Sequence, residues 1–159
     1  MKRRSTLLLG VLLAVSGCAK RAPYENKSVA ELEAMLSDAS PAVQAQGAYG
    51  LSLQGPEARS AVPALAGLLH SPNVSVRQNA ALALGKVGLG AAEAVPALTE
   101  ALCDPEWSVR RHAALALGAI GPPAAAAVPQ LTRLRRDPDS LVRKAAAAAL
   151  ERIRPKARK

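Results

Sequence analysis

Apolar residues in the middle of this chain fall into two short helical stripes separated by a break. Val62, Leu65, Leu68 and Leu69 recur at three- and four-residue steps, which places them on one face of a helix. Pro63 sits in the first turn of that helix, where its missing N–H costs nothing. Ser71, Pro72 and Asn73 then interrupt the pattern. A second stripe follows, made of Val76, Ala80, Ala83, Leu84 and Val87. Ser75, with Gln78 three residues on, predicts a capping box at its start, and Gly88 predicts a left-handed stop at its end. Gly85 lies inside this helix at a cost of about 1 kcal/mol against Ala. Close approach by a neighbouring helix is the physical reason to keep it, and also accounts for the many alanines.

The same spelling recurs along the chain. AVPAL begins at Ala61 and Ala94, and AVPQL at Ala127, an interval of 33 residues each time. Val76, Val109 and Val142 keep this step, each followed by an arginine: Arg77, Arg110 and Arg143. SVRQNAALALGKVG, from Ser75, returns as SVRRHAALALGAIG from Ser108. One step back, Val29, Leu32 and Val43 align with Val62, Leu65 and Val76. Four units fit without a gap, at 28–60, 61–93, 94–126 and 127–159. A fixed period of this size marks stacked supersecondary units, none able to bury its apolar face alone. The predicted fold is all-α, a solenoid of two-helix units with Leu84 and Leu117 buried between them. The terminal units differ as capping requires. The first has Gln44 in the Arg slot, Tyr49 in a Leu slot, and a capping box from Ser28 to Glu31. The last turns ALGxxG into ALERIR, with Glu151 and Arg154 where glycines stood and Arg152 between them.

The pattern AVPxL…DPxxSVRxxAxxALGxxG resembles the short bacterial HEAT-like repeats, of the kind also seen in phycobilin lyases. The resemblance covers residues 28–159, and its units are shorter than the roughly 40–47 residues of longer HEAT repeats. The ankyrin TPLHxA and tetratricopeptide WxxLGxxY signatures are both missing from the sequence. In the resembled family the inner-helix arginine pairs with the turn aspartate of an adjacent unit. That slot holds Asp38, Ser71, Asp104 and Asp137 here. The resemblance therefore implies a structural ladder through Arg77, Arg110 and Arg143; a cationic row for a polyanion is the other reading.

The amino-terminal segment stands outside the repeat. Lys2, Arg3 and Arg4 precede an apolar run from Leu7 to Val15, the design of a secretory signal. The run is too short for a transmembrane helix, which needs about 20 apolar residues. Val15 to Cys18, VSGC, resembles the lipobox of bacterial lipoproteins. That resemblance implies cleavage before Cys18 and acylation of its thiol and new amino group. A cleaved signal without lipid, or an uncleaved anchor, is the alternative. About three acyl chains would hold the protein firmly, since one chain gives only marginal binding. Ala19 stands where an aspartate would resemble an inner-membrane retention signal. The expected place is the periplasmic face of the outer membrane, if the source is Gram-negative. The expected divisions are a signal at 1–17, lipidated Cys18 with a short tether to residue 27, and the repeat domain at 28–159.

Charge is uneven. The net charge is +9, and falls to +6 without the signal's three cations. Ten Lys or Arg against three acids give +7 from residue 133 to 159, so the remainder of the mature chain is near neutral. Residues that vary inside a repeated slot say most about partners. Behind the Arg slot come Ala45, Gln78, Arg111 and Lys144, then Gln46, Asn79, His112 and Ala145. In solenoids of the resembled kind these positions line the concave face. They grow basic toward the carboxyl end, together with Lys86 and Arg152. Solvated charge and a groove for an acidic partner are the two readings. Trp107, the single tryptophan, either covers the core edge or stands exposed as an interface anchor.

Other chemistry is sparse. With Cys18 lipidated, Cys103 has no disulfide partner. His70 and Cys103 share one slot in adjacent units, about 8–10 Å apart by helix spacing, too far for shared zinc ligation. No metal or cofactor is expected. Neither histidine precedes a glutamate, as the deoxyhypusine hydroxylase type requires, and no nucleophile–base set or phosphate loop is evident. An enzyme is not expected. Nucleic acid is not expected either, with one Trp and two Tyr for stacking. The expected function is a monomeric, lipid-anchored scaffold or adaptor for a protein partner. Its surface candidates are Trp107, Arg111, His112, Lys144 and Arg152. The alternative is a binder of lipopolysaccharide or cell-wall polyanions through the basic last repeat.

Overall fold

The computed structural model describes residues 22–153; Cys18, the signal segment and Arg154 lie outside the described residues. Eight α-helices run in antiparallel pairs: α1 (Val29–Leu36) with α2 (Pro41–Gln54), α3 (Val62–Leu68) with α4 (Val74–Val87), α5 (Val95–Ala101) with α6 (Trp107–Ile120), and α7 (Val128–Leu134) with α8 (Ser140–Ile153). Each pair is one unit of the sequence repeat. Odd helices are short, with seven or eight residues, and even helices have fourteen. The units stack into an α-solenoid with two layers. Even helices pack extensively on one another, while odd helices meet one another only lightly.

Small residues permit this stacking. A Cβ added at Gly85 would lie 3.2 Å from Ala116 Cα, and one at Gly118 would lie 2.9 Å from Ala149 Cα. The even helices thus touch almost backbone to backbone. Leu51, Leu84 and Leu117 occupy one repeated slot and are fully buried. Leu150, next in that slot, is only half-buried. The apolar stripe expected of α4 is entirely buried, whereas Leu68 of α3 is partly exposed. The segment Val74–Ala101 has the length and apolarity of a membrane span. Here it comprises α4, the 3-10 connector Gly88–Ala94 and α5 packed within two units, with Val76, Leu84, Val95 and Leu98 buried in the core.

Several local expectations need correction. The cap of α4 is Asn73, whose Oδ1 accepts the Val76 N–H at 3.2 Å. Ser75 is already inside the helix, so it does not head a capping box. Ser28 and Glu31 do form one on α1. Gly88 has φ 65° and ψ −131°, and Gly55 and Gly121 are similar. Positive φ is present, but ψ lies far from the left-handed helical well and in a region open essentially to glycine alone. Each of these glycines leads into a 3-10 segment, at Gly55–Ala61, Gly88–Ala94 and Pro122–Ala127, that runs directly into the next odd helix. The units are therefore joined by short helical connectors.

Residues 22–27, within the segment expected as a tether, include Tyr24, which packs on the first unit. Tyr24 meets Tyr49 edge to face, with ring centroids 5.0 Å apart. Its Cβ lies 2.8 Å from where a Gly50 Cβ would stand. Tyr24 thus covers the face of α2 that in later units meets a preceding helix.

Candidate functional site

The ladder residues come from two repeated features, the arginine in the first turn of α4, α6 and α8 and the aspartate in the turn before α6 and α8. Arg77 donates from Nε and Nη2 to the Asp104 carboxylate at 2.7 and 3.0 Å. Arg110 makes the same fork to Asp137 at 2.9 and 3.0 Å. Their Nη1 groups bind carbonyls of their own turns, at Ser71 and Pro72 or at Asp104 and Pro105. Each arginine therefore ties its turn to the next unit, in the two-pronged geometry that suits guanidinium to carboxylate. Both pairs are largely sheltered, with side-chain exposures of 12% and 8% for Arg77–Asp104 and 13% and 5% for Arg110–Asp137.

Electrostatics follow from that geometry. Burial pushes the Asp137 carboxyl up, but hydrogen bonds from Arg110 and the Asp139 N–H, with the charges of Arg110 and Arg143, outweigh it and hold the pKa below normal. Hydrogen bonding to the carboxylates raises Arg77 and Arg110. Arg143 binds the carbonyls of Asp137 and Pro138 and has no carboxylate partner among the described residues. Asp38 is exposed and accepts the Ser40 N–H, while Gln44 bonds its carbonyl. The ladder joins the second unit to the third and the third to the fourth.

Of the variable residues, Gln78, Arg111 and Lys144 lie on a partly to fully exposed stripe of the even helices, whereas Ala45 and Ala145 are buried. Steps of four residues carry Val74, Gln78, Leu82 and Lys86 along α4, and Trp107, Arg111 and Leu115 along α6. On α8 the stripe is Leu141, Lys144, Ala148 and Arg152. Two depressions lie in this face. One, of about 310 Å³, brings together Lys86, Arg111, His112 and Arg152; the other, of about 300 Å³, adds Leu141 and Lys144. They share Arg111 and Leu115, so they form one track across three helices. Helices α2, α4 and α6 contain no acidic residue, and α8 contains only Glu151. The face is therefore basic and apolar together.

Trp107 starts α6 and is 41% exposed, outside the lining of either depression. It stands at the end of the same stripe. His112 is half-buried, and its Nδ1 lies 2.7 Å from the Ser108 carbonyl oxygen. Burial lowers its pKa, the Ser108 hydrogen bond opposes this, and the Arg111 charge lowers it further. The sequence reading missed the apolar half of the track. Leu115 and Leu141 are each 40% exposed, and the four-residue step from Arg111 to Leu115 and the three-residue step from Leu141 to Lys144 were the available signal. A larger depression, about 540 Å³, lies among Thr132, Arg133, Arg135 and Arg136. A single turn of chain supplies all of its lining, so it is less built than the track. His70 faces Glu100 at 3.9 Å on the surface, and no metal-holding cluster occurs among the described residues.

Stacked antiparallel helix pairs, joined by a buried Arg–Asp ladder, define an α-solenoid. Residues 29–102 and 88–151 match the family model for HEAT repeats, and the chain belongs to that family. Similar solved structures include an engineered protein, 27% identical over 80% of this chain and 62% of that one, with a TM-score of 0.67. The complex of CpcE and CpcF of phycocyanin lyase from Nostoc sp. is 29% identical over 79% of this chain and 52% of that one, with a TM-score of 0.68. Human deoxyhypusine hydroxylase is 32% identical over 81% of this chain and 44% of its own, with a TM-score of 0.61. This chain thus spans less than two thirds of each of those chains. No curated protein matches it.

Proposed function

We propose that this protein is a non-catalytic scaffold or adaptor that binds a protein partner along the even-helix track. The observation that carries the reading is the exposed row of Trp107, Leu115 and Leu141 interleaved with Arg111 and Lys144. Exposed aromatic and apolar side chains beside arginine are the composition of interface hot spots. Stacking does not require Trp107, Arg111, Leu141 or Lys144, because they vary within slots whose neighbours repeat, and Leu115, which repeats Leu82, is itself 40% exposed. The similar lyase from Nostoc sp. is itself a complex of two proteins, CpcE and CpcF. His70 is followed by Ser71 and His112 by Ala113, so the His–Glu pairs of the hydroxylase type are missing from the sequence.

The proposed setting is the cell envelope, with Cys18 lipidated and the solenoid on the periplasmic face of the outer membrane. What supports this is the basic, apolar and VSGC succession at the amino terminus. Crosslinking in intact cells followed by pull-down of the full chain tests the function. The Arg111→Glu, Lys144→Glu double variant is expected to lose the crosslinked protein and keep its helical melt. A partner retained by that variant would refute the track as the working surface.

One observation favours a second reading. Arg133, Arg135 and Arg136 stand exposed together on the fourth unit, a surface suited to lipopolysaccharide or cell-wall polyanions. Binding of that kind is dominated by exposed charge and collapses at high salt. Binding through the mixed track should persist in part.

A further inference from the structure

We infer that the depression between Lys86, Arg111 and Arg152 is a carboxylate-binding site, which takes an acidic side chain of an extended peptide segment lying across α4, α6 and α8. This rests on the scaffold reading and adds the chemistry of the partner. The three cations come from three successive even helices and converge on one hollow. Among the described residues, none of them lies within ion-pair distance of a carboxylate, whereas Arg77 and Arg110 are both paired. The hollow's lining contains no acid. Three uncompensated like charges over an apolar floor are relieved by an anion placed between them.

The hollow is not a by-product of the repeat. Lys86, Ala119 and Arg152 occupy the same slot in successive units. A long cation flanks the site on either side, and the small Ala119 between them leaves the space open. Gly85 also lines it.

The shape favours a peptide over a lipid. The track continues past Leu115 to Leu141 and Lys144, as a second open depression of about 300 Å³. Packed helices repeat at about 8–10 Å, while alternate side chains of an extended strand recur at about 6.6 Å. Only every second residue of an extended segment faces the track, so a segment whose facing positions alternate acid and apolar can set an acid near Arg111 or Lys144 and an apolar group on the adjoining Leu115 or Leu141, the long cationic side chains bridging the difference in spacing. A small amphiphile would instead need an enclosing apolar cavity.

Fluorescence anisotropy on the full chain tests this, using a labelled octapeptide in which Glu and Leu alternate at every second position with Ser between them, at about 0.15 M salt. Arg111→Ala and Lys86→Ala are each expected to weaken binding about tenfold or more, the loss of one charge-assisted hydrogen bond. Ala119→Lys, which fills the hollow while adding positive charge, is expected to weaken it too. The remote Arg133→Ala, Arg136→Ala pair should leave the dissociation constant within about twofold. Tighter binding by Ala119→Lys, or equal weakening by the remote pair, would show attraction by bulk charge and overturn the site. So would absence of peptide binding, or binding of phosphatidylglycerol vesicles alone that is lost with Arg111→Ala. If Lys86→Ala, Arg111→Ala still crosslinks the cellular partner, the site fails while the scaffold reading stands. If the wild-type chain crosslinks no protein, the scaffold reading itself fails.

Discussion

The close contact between even helices can be read from three glycine-to-alanine substitutions. At Gly118 the added Cβ would sit 2.9 Å from Ala149 Cα and 3.1 Å from its Cβ. Carbon atoms prefer about 3.5–4.0 Å, so α8 would have to retreat by roughly half an ångström or more. Its partner atoms are backbone and a methyl on a packed helix, with no flexible end to swing away. Overpacking of this kind costs about 1–3 kcal/mol, against about 1 kcal/mol gained when Ala replaces Gly in a helix. Gly118→Ala is therefore destabilising, by up to about 2 kcal/mol. At Gly85 the nearest atom is Ala116 Cα at 3.2 Å, so a shift of a few tenths suffices and the two effects nearly cancel. At Gly67 nothing lies within 4 Å, and alanine should stabilise by about 0.5–1 kcal/mol. Urea melts followed by far-ultraviolet circular dichroism should rank the variants Gly67→Ala, Gly85→Ala, Gly118→Ala from most to least stable. A Gly118→Ala variant as stable as Gly67→Ala would refute the backbone-to-backbone stacking of α6 on α8.

Other expectations follow from the ladder, the half-buried His112 and the amino terminus. Arg110→Ala leaves the buried Asp137 carboxylate unpaired and should cost about 3–5 kcal/mol; Arg143→Ala, which loses only carbonyl contacts on an exposed residue, should cost less than about 1.5 kcal/mol by chemical denaturation. Burial holds the His112 pKa below 6.5, so on acidification the unfolded chain takes up this proton first and stability falls as pH drops below that value. His112→Asn, which puts the residue of the Asn79 slot there, should lose less stability than wild type between pH 7.5 and 5, about the span that brackets an ordinary histidine; equal losses would refute the assignment. Cys18→Ser should abolish incorporation of labelled fatty acid and leave the precursor unprocessed by the lipoprotein route, and equal labelling would exclude lipidation at that residue.

Much of the architecture was legible because stacking constrains every unit in the same way. The 33-residue step of AVPAL and SVR marked the helices, and Leu84 and Leu117 are buried as their slot implied. Gly85 stood in a helix where propensity disfavours it, which pointed to the close contact that Ala116 makes. Local chemistry was harder to read, because neighbouring polar residues compete for one role. Asn73 and Ser75 can each cap a helix, and only the backbone path decides between them. The 3-10 connectors were hidden because Ala-rich sequence such as Pro122–Ala127 has no period of its own. Tyr24 gave no repeat signal, since its partner surface on Gly50 exists only at the first unit. The track was half legible: charge drift along one slot revealed Arg111 and Lys144. Leu115 and Leu141 were not singled out, since only the fold shows which stripe of the even helices faces outward.

The claim that function resides in the even-helix track is tested most directly by site-specific photo-crosslinking in intact cells. A photoreactive residue would replace Leu115 on the track or the exposed Glu100 on the odd-helix layer. A discrete protein adduct from position 115, with none from position 100, is the expected result. An adduct from position 100 alone would contradict it.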